Sequence, residues 1–215
     1  MPVRKIPKNY LHVTGSFSSR KNGRMMGYES LLERDNMILL EYDDDVEGFD
    51  EQPVQISFKK GVKPYVPDVL VRYKSGRKPL LGEVKHSSDL MKNRDKYAPK
   101  FDAAKKYAEE QGWEFGAVTE KEIRIPRLGV LKFLREYLNV DPDPERAASI
   151  VDALKGARGK LEMDALLKVL CSTDTERLTM TPVVWSMVAT GQLSIDMNKP
   201  IIDKTLLSLP KGERK

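Results

Sequence analysis

Pro67-Asp68 is followed downstream by Glu83-Val84-Lys85. In a strand, the two-residue period puts Glu83 and Lys85 on one face and Val84 on the other. If 68–73 and 80–85 pair as a hairpin, Asp68 comes beside Glu83 and Lys85 near one end of a sheet. Two carboxylates so placed make an oxygen-rich site suited to magnesium, a hard cation held by one or two carboxylates, waters and phosphate. A lysine beside them can stabilise charge developing on a phosphate, or orient and deprotonate an attacking water. Metal, carboxylates and lysine together are what phosphodiester hydrolysis requires. The bare pattern also arises by chance, with Asp68 as a turn residue and Glu83/Lys85 as an exposed pair on an edge strand. The other Pro-Asp, Pro142-Asp143, has no acid-x-Lys within reach and serves as an internal control. Glu33, at the border of the apolar stripe in Leu31-Leu32-Glu33, either turns to solvent or supplies a third carboxylate. Glu29 and Glu41 rank behind it.

The elements that would position these residues follow from periodicity. Residues 28–40 carry Tyr28, Leu31, Leu32 and Leu39 at helical spacing. Alternation of Val54, Ile56 and Phe58 predicts a strand over 52–58, and 68–73 and 80–85 read as two more, joined by Lys74-Ser75-Gly76-Arg77. An amphipathic helix over 95–111 stops at Gly112, and 113–118 is a fourth strand. Ile123-Arg124-Ile125 fits a short fifth strand, and 128–138 a closing helix. The order predicts an α/β fold, a mixed sheet flanked by helices. Asp141-Pro142-Asp143-Pro144 reads as a linker. Beyond it come helices over 145–157 and 161–170, then a third helix starting at Thr181-Pro182 and ending at Gly191. Strands around Leu193/Ile195 and over 201–209 complete the order of a winged helix. The domains expected are a basic N-terminal arm over 1–27, a catalytic domain over 28–140 and a winged-helix-like domain over 145–215.

Charge is unevenly spread. The 215 residues hold 37 Lys+Arg against 32 Asp+Glu, a formal net charge of +5. Residues 1–27 are basic without an acidic residue, and Lys5, Lys8, Arg20, Lys21 and Arg24 are candidate DNA contacts, since each neutralised phosphate releases counterions. A solvated tail is the alternative. Residues 41–51 reverse the sign, with Glu41, Asp43, Asp44, Asp45, Glu47, Asp50 and Glu51 and no basic residue. Such a block would repel DNA, so it either faces away from nucleic acid or meets a basic partner; a solvated loop after a helix is the reading favoured. Lys92, Arg94 and Lys96 lie in a basic segment, 85–106, that follows the acid-x-Lys strand directly and offers backbone contacts or a solvated helix face. The single cysteine, Cys171, excludes an internal disulfide and a Cys-rich zinc site. His12 and His86 are the only histidines, which argues against a histidine-based nucleophilic triad or a zinc site. No apolar run reaches membrane-spanning length, and a cytoplasmic location is expected.

Tyr28-Glu29-Ser30-Leu31-Leu32-Glu33-Arg34-Asp35, Phe49-Asp50-Glu51-Gln52-Pro53, Pro67-Asp68-Val69-Leu70-Val71 and Leu81-Gly82-Glu83-Val84-Lys85 together resemble TnsA, the endonuclease subunit of heteromeric transposases, including those of CRISPR-associated transposons. The similarity runs over about 4–138, and 145–215 is compatible with that family's winged-helix C-terminal domain. The resemblance implies a restriction-endonuclease-like PD-(D/E)XK core. By motif position it implies Glu33, Asp68, Glu83 and Lys85 as catalytic residues and Glu33, Asp68, Glu83 and Val84 as metal positions. Mg²⁺ would be the cofactor, with Mn²⁺ able to substitute. Gln52, where the family often keeps a glutamine, either approaches the site or simply starts a strand. The implied activity is hydrolysis at the 5′ ends of a transposon, inside a prokaryotic cell. The implied partners are DNA, a DDE-type transposase subunit (TnsB-like) and an AAA+ ATPase regulator (TnsC-like), with no membrane. Two other readings remain: a stand-alone restriction or repair nuclease of the same fold, and a non-catalytic DNA-binding assembly module.

Overall fold

A computed structural model describes residues 13–210 of the chain; Lys5, Lys8 and His12 lie outside that range. The chain forms two compact units, Met1–Arg124 and Ile125–Lys215. Among the described residues no helix is long and apolar enough to cross a membrane.

The first unit begins with an antiparallel hairpin, β1 (Gly15–Ser19) and β2 (Arg24–Tyr28), in a stretch that composition alone presents as an arm. Phe17 and Met26 are buried from it. Its turn is fastened by the helix that follows, α1 (Leu31–Glu41). The Glu41 carboxylate accepts from Ser19 Oγ at 2.7 Å and from the Arg20 and Lys21 amides at 2.8 and 3.0 Å. Lys21 Nζ in turn donates to the Leu40 carbonyl at 3.1 Å and to the Asp43 carbonyl, covering orphan acceptors at the end of α1.

A four-stranded mixed sheet carries the centre of this unit, in the order β3 (Val46–Glu51), β4 (Val69–Tyr73), β5 (Leu80–Val84), β6 (Glu114–Val118). β3, β4 and β5 pair antiparallel, and β6 runs parallel to β5. A parallel pair needs a crossover, supplied here by α2 (Ser87–Lys92) and α3 (Arg94–Glu110). Ile56, Tyr65, Leu70, Leu81, Ala104 and Ala108 form one core cluster between sheet and α3. Gly82, opposite Val69 and beside Gly116, has a packing reason to lack a side chain: a Cβ there would lie 2.9 Å from Val69 Cγ1.

Three sequence expectations are corrected here. The acid block is a strand, not a solvated loop: β3 occupies its second half, with Phe49 and Glu51 buried. Its charges are met by arginines, Arg24 Nη2 reaching Asp50 at 3.1 Å and Glu51 at 2.7 Å, and Arg72 Nη1 reaching Asp50 at 2.7 Å. The strand expected over 52–58 is reduced to a single Ile56–Tyr65 bridge. Gln52 at φ 46° and the donor-less Pro53 end the ladder, although Val54, Ile56 and Phe58 do face the core as their alternation indicates. Ile123-Arg124-Ile125 is not a strand; Glu120–Ile123 is a short helix, α4, started by a Thr119/Glu122 capping box.

The second unit contains α5 (Pro126–Arg135), α6 (Pro144–Gly156), β7 (Lys160–Glu162), α7 (Met163–Leu170), α8 (Asp174–Ala189) and β8 (Leu206–Ser208). β7 and β8 pair antiparallel, and Ser194 adds a single bridge to Ser208. Leu193 and Ile195 thus flank a bridge rather than forming a strand. The third helix of the 145–215 segment starts at Thr173, whose side chain and Glu176 form a capping box, so Pro182 lies inside it. The division between units also lies before α5, not at Pro142 and Pro144. Val130 and Leu134 of α5 join Ile150, Leu154, Val184 and Trp185 in one core, an apolar burial that outweighs the proline signal downstream.

Candidate active site

Asp68 immediately precedes β4, and Glu83 and Lys85 lie at the end of β5, so the antiparallel register brings them together. Asp68 N donates to Gly82 O at 3.0 Å, and Lys85 N donates to Val118 O at 3.1 Å, fixing both backbones to the sheet. Lys85 Nζ stands 3.3 Å from Glu83 Oε1 and 3.6 Å from Asp68 Oδ2. Asp68 Oδ2 also accepts from the Val84 amide at 2.8 Å. Glu83 Oε2 accepts from Tyr65 Oη at 2.7 Å. The period-two argument thus describes this strand: Glu83 and Lys85 converge, while the Val84 side chain is buried among apolar residues. A cavity of about 250 Å³ opens over the group, with Glu29, Lys63, Lys96 and Lys100 among its other lining residues.

Burial governs the electrostatics. Desolvation, and next the Glu83 charge, push the Asp68 carboxyl well above its ordinary range, with Lys85 pulling back. For Lys85 burial works to lower the pKa, but the carboxylates of Asp68, Glu83 and Glu33 outweigh it and hold the ammonium charged. Tyr65 is raised by burial and then by the neighbouring Glu83 charge, so its hydroxyl remains a donor. This is a concentrated acidic site whose one internal cation, Lys85, can present an ammonium to an anion.

Glu33 occupies a different position from the trio. Its Oε2 accepts from the Glu29 amide at 2.8 Å and its Oε1 from Ser30 Oγ at 2.9 Å, while Ser30 Oγ accepts from Glu33 N at 3.1 Å. Ser30 thus caps α1, and Glu33 reaches back to the Ser30 hydroxyl and the amide before it; Ser-x-x-Glu is a helix-start pattern that the residue types alone carry. Glu33 is buried, and its carboxyl is raised, first by desolvation and against the pull of those bonds. It acts on Lys85 and Asp68 through its charge. Among the described residues no group of three or more His, Cys, Asp or Glu side chains is gathered closely enough to hold a metal.

The remaining candidates separate cleanly. Glu41 is spent on the β1–β2 turn, and Lys21 and Arg24 on α1 and β3. Arg20 is exposed. Of the basic residues named on 92–96, Lys96 lines the cavity; Lys92 and Arg94 are exposed outside it. Gln52 donates its amide to the Asp68 carbonyl at 3.0 Å, so it abuts the site through its backbone. His86 is largely exposed, with Nδ1 3.5 Å from Glu120 Oε2. Tyr65 and Lys63 escape sequence reasoning because they sit in an irregular segment where no period assigns a face.

Residues 43–120 match the family model for the TnsA-like endonuclease N-terminal domain. Over that stretch the chain is similar to the TnsA-like endonuclease N-terminal domain. Asp68, Glu83 and Lys85 all fall inside the matched stretch, whereas Glu33 precedes it and the second compact unit follows it. The TnsA-like region therefore comprises the four-stranded sheet with α2 and α3. A search of curated proteins found no match to the chain.

Proposed function

We propose that the protein is a magnesium-dependent DNA endonuclease subunit of a transposase, hydrolysing phosphodiester bonds at the 5′ ends of its transposon. The observation that carries the reading is the convergence of Asp68, Glu83 and Lys85 on one cavity inside a TnsA-like endonuclease domain. On this reading the mixed sheet with α1 and α3 is a PD-(D/E)XK core. The second unit, three helices with a small sheet pairing β7 to β8, acts as a winged-helix-like module for DNA or protein.

The donor chemistry fits a hard divalent cation. Both side-chain contacts of Asp68 fall on Oδ2, Glu83 is a buried carboxylate beside it, and the two together make an added positive charge favourable there. Asp68 and Glu83 would hold Mg²⁺; Glu33 would add charge from the first turn of α1, and Val84 could contribute only its backbone carbonyl. Bound there, the metal would supply an electrophile at the scissile phosphate and acidify a water. The chain's residues do the rest. Tyr65 fixes the Glu83 carboxylate from the side opposite Lys85. Lys85 donates to a phosphate oxygen as charge grows on it, or orients the attacking water. The sheet supplies the rigidity that keeps these groups in register.

The partners on this reading are transposon-end DNA, a DDE-type transposase subunit that cuts and joins the 3′ ends, and an AAA+ ATPase regulator. The test combines the purified protein with its transposase partner, transposon-end DNA and Mg²⁺, and maps strand breaks. Cleavage on the 5′ side of the ends is expected, lost in Asp68→Ala and Lys85→Ala. Loss of this subunit should leave 3′ joining intact and yield cointegrates. Sequence-specific cutting without the partner would point instead to a stand-alone nuclease.

A further inference from the structure

Three further lysines, Lys63, Lys96 and Lys100, line the cavity that holds Asp68, Glu83 and Lys85. Lys96 and Lys100 stand four residues apart on α3, hence on one helix face. Lys63 joins them from the irregular segment that leads to Tyr65. Among the described residues none of the three enters an ion pair, in contrast to Lys21, Arg24 and Arg72, whose charges are met within the fold. Lys100 is half-buried and its Nζ lies 5.9 Å from the ring centre of Tyr65 and 5.8 Å from that of Tyr97, so the two rings hold the ammonium at the cavity. Tyr97 is itself fixed by donating to Asp89 Oδ2 at 2.6 Å and by stacking on Phe101.

We infer that Lys63, Lys96 and Lys100 form a phosphodiester-backbone subsite that grips the DNA strand beside the scissile phosphate, independently of base sequence. This deepens the nuclease reading above and rests on it. Three cavity-lining ammonium groups without an ion-pair partner suit a polyanion laid along the cavity, and the acidic floor by itself would repel one. The aromatic rings beneath Lys100 are only 6% exposed for Tyr65 and 8% for Tyr97, too little for a base to stack on. No base-reading group joins the three lysines in the subsite, so its contacts position the strand without specifying it.

The experiment measures binding of the full chain to a transposon-end duplex and to a scrambled duplex of equal length, across a salt series. Four proteins are compared: the parent, Lys96→Gln/Lys100→Gln, the charge-matched control Lys105→Gln/Lys106→Gln, and Asp68→Ala. Lys105 and Lys106 are exposed on α3 and do not line the cavity. The expected result is that K96Q/K100Q weakens both duplexes by the same factor. Its slope of log K against log salt should become shallower by about two, roughly 0.9 for each phosphate no longer neutralised, while the control pair keeps the parent slope. An unchanged slope in K96Q/K100Q overturns the subsite, as does a parent chain that binds neither duplex at low salt. Equal weakening in both pairs overturns it too, leaving only net charge. Asp68→Ala separates this outcome from the nuclease reading: retained cleavage by that variant defeats the reading, whatever the lysines do.

Discussion

At the scale of single residues, the site is built from groups that cannot be left alone. Glu83 is buried, and its two oxygens are divided between Lys85 and Tyr65. Tyr65→Phe removes one donor and leaves a carboxylate oxygen unpaired in the core, which costs about 1–3 kcal/mol. Chemical unfolding of the full chain, parent against variant, measures it. Glu33 invites a sharper separation, because its oxygens cap α1 while its charge acts on Lys85. Glu33→Gln can still accept from the Glu29 amide through its carbonyl oxygen and can donate its Nε2 to Ser30 Oγ, so it should stay within ~0.5 kcal/mol of the parent, whereas Glu33→Ala should lose about 1 kcal/mol. A drop in cleavage by Glu33→Gln at unchanged stability would then isolate the charge. Asp68, Glu83 and Lys85 are legible from the sequence because a strand's alternation fixes faces without knowledge of the fold. Tyr65 is not, since the chain approaches it through a segment with one bridge and no ladder.

At the scale of elements, the close approach of β4, β5 and β6 rests on Gly82. Gly82→Ala should cost about 1–3 kcal/mol through displacement of Val69, and hydrogen exchange should rise along β4 and β5. The start of α2 depends on a second device: Glu120 Oε2 accepts from Ser87 N at 2.8 Å and Oε1 from Ser87 Oγ at 2.5 Å. Those bonds, the hydroxyl first, depress the Glu120 carboxyl from 4.5 to about 2. A depressed carboxyl stabilises the fold above its unfolded value, and that contribution fades as pH falls from about 4.5 through about 2. NMR titration of Glu120 should find this low value in the parent and a higher one in Ser87→Ala. The helices and strands with strong periodicity are readable, α3, β4, β5 and β6 among them. β3 is not, because its carboxylates read as solvent-facing until Arg24 and Arg72 arrive from distant positions to neutralise them. The start of α8 is disguised for a local reason, Thr181-Pro182 imitating a helix start that Thr173 and Glu176 in fact provide.

At the scale of the molecule, each compact unit has its own apolar core, and α5 belongs to the second. Leu154 is fully buried there. Leu154→Ala should cost that unit about 2–5 kcal/mol, seen as reduced amide protection in α6, α7 and α8 while β4 and β5 keep theirs. The net charge of +5 gives little guidance taken whole. Much of the basic N-terminal charge that the structure describes is consumed by the fold, and lysines without an ion-pair partner stand instead along the cavity of Asp68 and Glu83. The most direct measurement is strand cleavage at transposon 5′ ends by the purified protein with its transposase partner and Mg²⁺, parent beside Asp68→Ala, with the variant shown folded by circular dichroism. Cleavage by the parent and none by a folded Asp68→Ala is the expected result. Undiminished cleavage by that variant would contradict the assignment of Asp68, Glu83 and Lys85 as the catalytic centre.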